Sequence, residues 1–266
     1  MAASEPPEIL YRYYTINRAE PVLRHAEVFF PCAADFNDPF DCSFRWDFRA
    51  SLLKRQRYAR DLLRERAPNM AKNDLKKLSR LGARIESYSK AGESFKSRLV
   101  QRVGLLSMSA KRDNMLMWSH YADKHFGVCV GFWHSVLIEN QTVPLPVIYS
   151  TEYPVLSFFE VVDFIGGNLS DPEVLAANRK IVERIYLTKS KIDWEYESEW
   201  RIVDVRRGRG NHYFPKEAIG EVIYGCRTPL DQKNMVKSWI RESGLQLKEY
   251  EARQGVNTFR LDITEP

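Results

Sequence analysis

An α+β fold, one domain on a mixed but mostly antiparallel sheet, follows from three features of this 266-residue sequence. Aromatic and apolar runs of strand length stand at both ends, from Ile9-Leu-Tyr-Arg-Tyr-Tyr14 to Thr258-Phe-Arg-Leu-Asp-Ile263. Helical patterns are mixed among the strands rather than gathered in a separate domain. Residues 49–102 form a basic block, with 16 Lys and Arg against 5 Asp and Glu, while the remainder of the chain nets −6. That block reads as a helical insertion into the single domain spanning 1–266.

Each element has its own signal. Residues 9–14 are β-prone and aromatic. Asn17 to Phe30 reads as a short helix with Pro21 in its first turn, running into apolar Val28-Phe29-Phe30. The cluster Asn37-Asp38-Pro39 between aromatics marks a turn. From about 49 to 102, leucines at 52, 53, 62, 63, 75 and 78 recur among basic residues in a helical pattern that breaks near Pro68. Residues 104–110 read as a strand, 113–125 as a helix, 126–133 as a buried strand and 145–150 as another. Residues 171–190 are helical in pattern, with Pro172 at the start. Strands follow at 199–205 and 221–226, then a helix over 230–243 closed by Gly244, and strands over 245–253 and 258–263.

Composition narrows the class. Hydrophobic content of 44% with 28% charged residues is ordinary for a globular chain, and 266 residues suffice for a full core. No apolar run approaches a membrane span, so no membrane partner is expected. The start, MAASEPPEIL, lacks the basic and apolar regions of a signal peptide. Cys32, Cys42, Cys129 and Cys226 are scattered without CxxC spacing, which fits thiols in a reducing cytoplasm. His120 and His125 are five apart, not the three or four that place two metal ligands on one helical face, so no metal is expected. There is no Walker or dinucleotide glycine loop and no Gly-x-Ser-x-Gly elbow.

The stretch Asp193-Trp-Glu-Tyr-Glu-Ser-Glu-Trp-Arg-Ile-Val203 puts carboxylates at every second position before an apolar run. In an extended strand, Asp193, Glu195, Glu197 and Glu199 share one face, about 6.6 Å apart. Four like charges at that spacing repel. They need solvent or cationic partners, or at least one of them does chemistry. A restriction-type nuclease would place x-Lys after the second carboxylate, whereas Glu199 is followed by Trp200 and Arg201.

Three separated pieces, Tyr11-Arg12, Ser107-Met108-Ser109 and Glu197-Ser198-Glu199, resemble in order the Arg, Ser-x-Ser, Glu-x-Glu pattern of the ADP-ribosyltransferase superfamily. Across nearly the whole chain, "LYRYY", "FNDPFD", "SMSAKRDNMLMWSHYADKHFGVCVGF", "VIYS" and "LTKSKIDWEYESEWRIV" are similar to the domain-of-unknown-function family 2971. The superfamily likeness implies an ADP-ribosyltransferase-like sheet and NAD as substrate, for ADP-ribosyl transfer or NAD cleavage in a bacterial toxin or antiviral defence effector. It implies Glu199 and Glu197 as the catalytic carboxylates, with Arg12 on a phosphate and Ser109 on a ribose. Tyr13, Asn37, Asp38, Trp118, His120 and Tyr121 are the remaining expected NAD contacts. The chemistry is coherent, because leaving nicotinamide creates an oxocarbenium-like state that a fixed carboxylate stabilises.

Other readings stand beside this one. Asn37 and Asp38 equally suit a turn closed by side-chain-to-backbone bonds. Trp118 suits the core better than a stacking platform. The 49–102 block fits a nucleic-acid or protein acceptor, or a solvated face. A non-catalytic nucleic-acid-binding module and a metal-dependent nuclease are the rival functions.

Overall fold

The structure is a computed structural model, and it describes residues 5–47, 49–83, 100–160 and 179–266. Its frame is an eight-stranded sheet. The strands are β1 (Ile9–Tyr14), β4 (Gly104–Ser109), β5 (Val128–Trp133), β6 (Leu145–Pro146), β10 (Glu199–Asp204), β12 (Ile219–Tyr224), β13 (Lys248–Gln254) and β14 (Leu261–Thr264), in the order β14-β13-β12-β5-β1-β4-β10-β6. All neighbours are antiparallel except β12 and β13, so the mixed, mostly antiparallel sheet is observed. Short pairs lie outside it: β2 (Glu27–Phe30) with β11 (Gly210–Tyr213), β3 (Arg45–Asp47) with β8 (Val155–Ser157), and β7 (Ile148–Ser150) with β9 (Thr188–Ser190).

Strand alternation assigns the two faces. One face carries Leu10, Leu106, Met108, Val130, Phe132, Trp200 and Ile202. It is covered by α1 (Ile16–His25), which contributes Ala19, Val22 and Leu23, and by the later helix Leu230–Ser243, which contributes Val236, Trp239 and Ile240; together these form one apolar cluster. The opposite face carries two smaller clusters. Beneath the helix Met115–Tyr121, Met117 and Trp118 pack on Tyr11, Tyr13, Cys129 and Ile223. Beneath the helix Arg179–Tyr186, Ile181, Val182 and Ile185 pack with Phe44 and Leu105. Polar residues fill the seam between the two.

In chain order the helices are α1, α2 (Leu52–Arg66), α3 (Lys72–Ala83), α4 (Met115–Tyr121), α5 (His134–Glu139), α6 (Arg179–Tyr186), α7 (Lys191–Trp194) and α8 (Leu230–Ser243) among the described residues. The break expected near Pro68 falls between α2 and α3. Residues 84–99 of the basic block lie outside the described residues, as do 161–178, which include the start expected at Pro172.

Several local expectations need correction. Pro21 sits in the interior of α1, not its first turn. It removes a donor there, and the burial of Ile16, Ala19, Val22 and Leu23 holds the helix regardless. The helix expected through His125 ends at Tyr121, because Asp123, Lys124 and His125 take left-handed backbone at φ 47°, 53° and 72°. Residues 145–150 are two strands rather than one. Val147 N–H still bonds the Glu199 carbonyl of β10, and from Ile148, whose N–H bonds the Leu187 carbonyl, the chain runs beside β9 instead. The helical pattern expected to run to 190 ends at Tyr186 and yields to β9. By contrast, α8 closes at Gly244 with φ 71°, the left-handed cap that glycine suits.

Candidate active site

The acidic run departs most from its expected shape. Residues 193–198 are not strand: Asp193 ends in α7, Glu195–Glu197 form a 3₁₀ turn, and Ser198 is left-handed at φ 46°. Only from Glu199 is the chain extended. The four carboxylates therefore do not share a face. Asp193 and Glu195 are exposed, whereas Glu197 and Glu199 are buried, Glu197 at 3% exposure. The period-two pattern coincides with strand spacing, but the two halves of the run are pulled apart by the partners of the buried pair.

Those partners are Lys189 from β9, Arg201 from β10 and Asp41 from the turn after β2. Lys189 Nζ donates to Glu197 Oε2 at 2.6 Å and to Glu199 Oε2 at 2.9 Å, bridging the two carboxyls. Arg201 lies two residues beyond Glu199 on the same strand face. Its Nε meets Glu199 Oε1 at 2.7 Å and its Nη2 meets Glu199 Oε2 at 3.0 Å. The other side of the guanidinium forks onto Asp41, with Nη1 to Oδ1 at 2.8 Å and Nη2 to Oδ2 at 2.5 Å. Arg201 is fully buried, and Nη1 also donates to the Tyr186 carbonyl at 2.8 Å. Tyr121 OH donates to Glu197 Oε1 at 2.7 Å.

Three carboxyls thus face two cations, and ionising all three leaves one negative charge unmatched. The two glutamates divide that strain. Burial would raise Glu199, but Arg201 and then Lys189 outweigh it and hold this carboxyl down to about 2. Glu197 moves the other way: burial pushes it up and the Glu199 charge adds to that, against the pull of Lys189. Glu199 is thus the stronger acid of the two, and Glu197 the one that holds its proton more tightly.

The sheet register places this pair at the end of a row. Glu199 stands opposite Ser109, Ser109's strand neighbour is Tyr11, and Tyr11 stands opposite Gly131, which faces Glu221. At Gly131 a Cβ would fall 3.1 Å from the Tyr11 ring, so glycine leaves the space in which the tyrosine reaches Glu221. Tyr11 OH donates to Glu221 Oε2 at 3.2 Å, and Arg112 Nη1 reaches the same oxygen at 3.3 Å.

The expected NAD contacts scatter around this row. Ser109 lies in it, fully buried, with Oγ donating to the Glu197 carbonyl at 2.6 Å and accepting from Lys111 N–H at 3.0 Å. Arg12 does not share the row. Alternation along β1 turns it to the opposite face, beside the Tyr14 ring, with Nη1 donating to the Ser107 carbonyl at 3.0 Å. Tyr13 is buried and donates to the Lys111 carbonyl at 2.7 Å. Trp118 is fully buried, donates to the Arg112 carbonyl at 2.9 Å and meets Tyr13 edge to face, which is a core position. Asp38 closes its turn by accepting from Phe40 N–H at 2.9 Å. Asn37 and His120 are both exposed, His120 on α4.

Lys189, Asp41 and Tyr149, whose hydroxyl accepts from Glu199 N–H at 2.8 Å, were not found from sequence. One signal was available: Arg201 follows Glu199 by two, the spacing that pairs charges on a strand face. Neither a curated protein nor a solved structure matches the chain. Residues 117–202, the span that holds Tyr121, Lys189, Glu197, Glu199 and Arg201, match the model of the family described as Protein of unknown function (DUF2971), which supports the resemblance to that family.

Proposed function

We propose that the chain is an NAD-consuming enzyme of ADP-ribosyltransferase-like type, acting by ADP-ribosyl transfer or by NAD cleavage. One observation carries the reading. The three motif-bearing strands β1, β4 and β10 are neighbours, and Tyr11, Ser109 and Glu199 stand in one row on the face that holds the buried carboxyls.

In this reading the ribose–nicotinamide bond breaks with its electron pair leaving on nicotinamide. Arg201 keeps Glu199 ionised, and Glu199 supplies the negative field that the oxocarbenium-like state requires once Lys189 releases its Oε2. Glu197 takes the proton from the attacking water or acceptor, the role its raised pKa suits. Tyr121 keeps Glu197 oriented. Arg112, beside Tyr11 and with its side chain 36% exposed, takes the phosphate role expected of Arg12, which faces away. Trp194 covers the Lys189 ammonium at 4.6 Å, so substrate entry requires the segment 191–197 to lift. Loss of cellular NAD suits a toxin or antiviral effector, and the basic α2 and α3 would dock a nucleic-acid or protein acceptor. The metal-nuclease alternative fits less well, since Arg201 and Lys189 already occupy the Glu199 oxygens that a divalent ion would need.

The test is release of free nicotinamide from NAD by the purified chain. Glu197→Gln keeps shape and volume and is expected to lower turnover on the order of 100-fold while the melting temperature holds. Wild-type protein that releases no nicotinamide, or a variant within a few-fold of it, removes the reading.

A further inference from the structure

The turn that presents Glu197 is held by three consecutive backbone carbonyls, and all three point at one short segment. The Tyr196 carbonyl accepts from Asn114 Nδ2 at 2.6 Å. The Glu197 carbonyl accepts from Ser109 Oγ at 2.6 Å, and the Ser198 carbonyl from Ala110 N–H at 3.0 Å. Such a clamp explains how Ser198 is kept at φ 46°, a region a non-glycine residue adopts only when its surroundings impose it.

Asn114 differs from the other two anchors because its side chain works at both ends. Its Oδ1 caps α4, accepting from Leu116 N–H at 3.0 Å and Met117 N–H at 3.3 Å. Its Nδ2 holds the Tyr196 carbonyl. Two N–H donors at one end and a carbonyl at the other leave a single orientation for the amide. The helix whose last residue is Tyr121 and the turn that carries Glu197 are therefore tied through one side chain. The 2.7 Å bond from Tyr121 to Glu197 closes the same loop from the far end of the helix.

We propose that Asn114 is a positioning residue for Glu197: it fixes the turn so that the carboxyl meets Tyr121 and Lys189 together. The inference rests on the proposed reaction for its catalytic consequence, but not for its structural one. A displacement of about 1 Å in a reacting group costs on the order of 100-fold in rate.

The discriminating variant is Asn114→Asp. A carboxylate keeps the cap on α4, where an anion also suits the helix N-terminus. It supplies no donor to the Tyr196 carbonyl and repels it. Asn114→Ser is the second variant, uncharged and able to cap but too short to reach the turn. Two readouts apply to both. Amide hydrogen exchange by NMR is expected to accelerate at least tenfold at Ser198, whose N–H bonds the Glu195 carbonyl at 3.2 Å, while Trp118 in α4 stays protected. Nicotinamide release is expected to lose about 100-fold in kcat with KM within threefold. Unchanged exchange at Ser198 overturns the proposal, and so does faster exchange with kcat within threefold of wild type. If wild-type protein releases no nicotinamide, the proposed function falls. The Ser198 exchange and the titration of the Glu197 carboxyl then decide together whether Asn114 sets the turn: both must move, and either one unmoved overturns it.

Discussion

The two faces of the central sheet are made from alternate residues of the same strands, yet they are packed by opposite rules. Along β10, Trp200 and Ile202 turn to the α1 and α8 side, into a continuous apolar cluster. Glu199 and Arg201, one residue out of phase, turn to the other side, where the apolar packing splits into two patches. In the seam between them lie Asp41, Lys189, Glu197, Glu199 and Arg201, all buried. Apolar burial is proportional to area and largely indifferent to pH. A buried charge network stands only while every partner is present and in the right protonation state. The difference teaches where to look: the closed face is held by apolar burial, and the seam by charges whose removal one at a time leaves the others unpaired.

The comparison breaks most sharply at Arg201. Replacing it by Met keeps volume but leaves Asp41 and Glu199 facing each other without the guanidinium that forks onto both. The expected cost is about 3–5 kcal/mol in urea unfolding at pH 7, shrinking as the pH falls and the carboxyls take up protons. On the closed face, Leu23→Ala removes a fully buried side chain and is expected to cost about 2–5 kcal/mol by cavity formation, with no such pH trend. Equal pH dependence for the two variants would erase the distinction between the faces.

Glu199 gives the next effect. Its folded pKa of about 2 lies below the ordinary 4.5, so its contribution is present above the unfolded value and is lost as the pH falls from about 4.5 toward 2. Glu199→Gln is therefore expected to cost on the order of 2–3 kcal/mol at pH 7, with the gap to wild type closing below pH 4. Glu197, raised rather than lowered, has the opposite slope: its contribution is present at low pH and is lost as the pH rises through its folded value. Stability curves of Glu199→Gln and Glu197→Gln that bend the same way would show that the two carboxyls do not divide the strain as described.

Much of the frame was legible because its signals are local. Apolar runs at 104–109 and 128–133 become strands, and α8 ends where Gly244 permits a left-handed cap. The seam was only partly legible. Glu197 and Glu199 stand out in the sequence, but what separates them from Asp193 and Glu195 is long-range: Asp41 meets Arg201 across 160 positions of sequence. The face that Arg12 takes depends on the parity of β1 against β4, which the dipeptide Tyr11-Arg12 alone does not reveal. Pro21 reads as a first-turn residue from local rules, and the tertiary packing of α1 starts the helix earlier.

The smallest effect concerns a region outside both faces. α2 and α3 pack on one another, and Tyr58 of α2 meets Phe159 with ring centroids 4.9 Å apart. Lys54, Arg57, Lys76 and Lys77 are exposed there, as are Leu52, Leu53 and Leu78. Reversing Lys54, Arg57 and Lys76 to Glu touches neither the closed face nor the seam, so stability is expected to change by no more than about 0.5 kcal/mol per site. If the block meets a polyanion, affinity of the wild-type chain for an oligonucleotide falls linearly with salt on logarithmic axes, by roughly 0.9 per duplex phosphate contacted. The triple reversal then flattens that slope and spares nicotinamide release. Binding that is absent at low salt, or a slope unmoved by the reversal, leaves α2 and α3 as solvated surface.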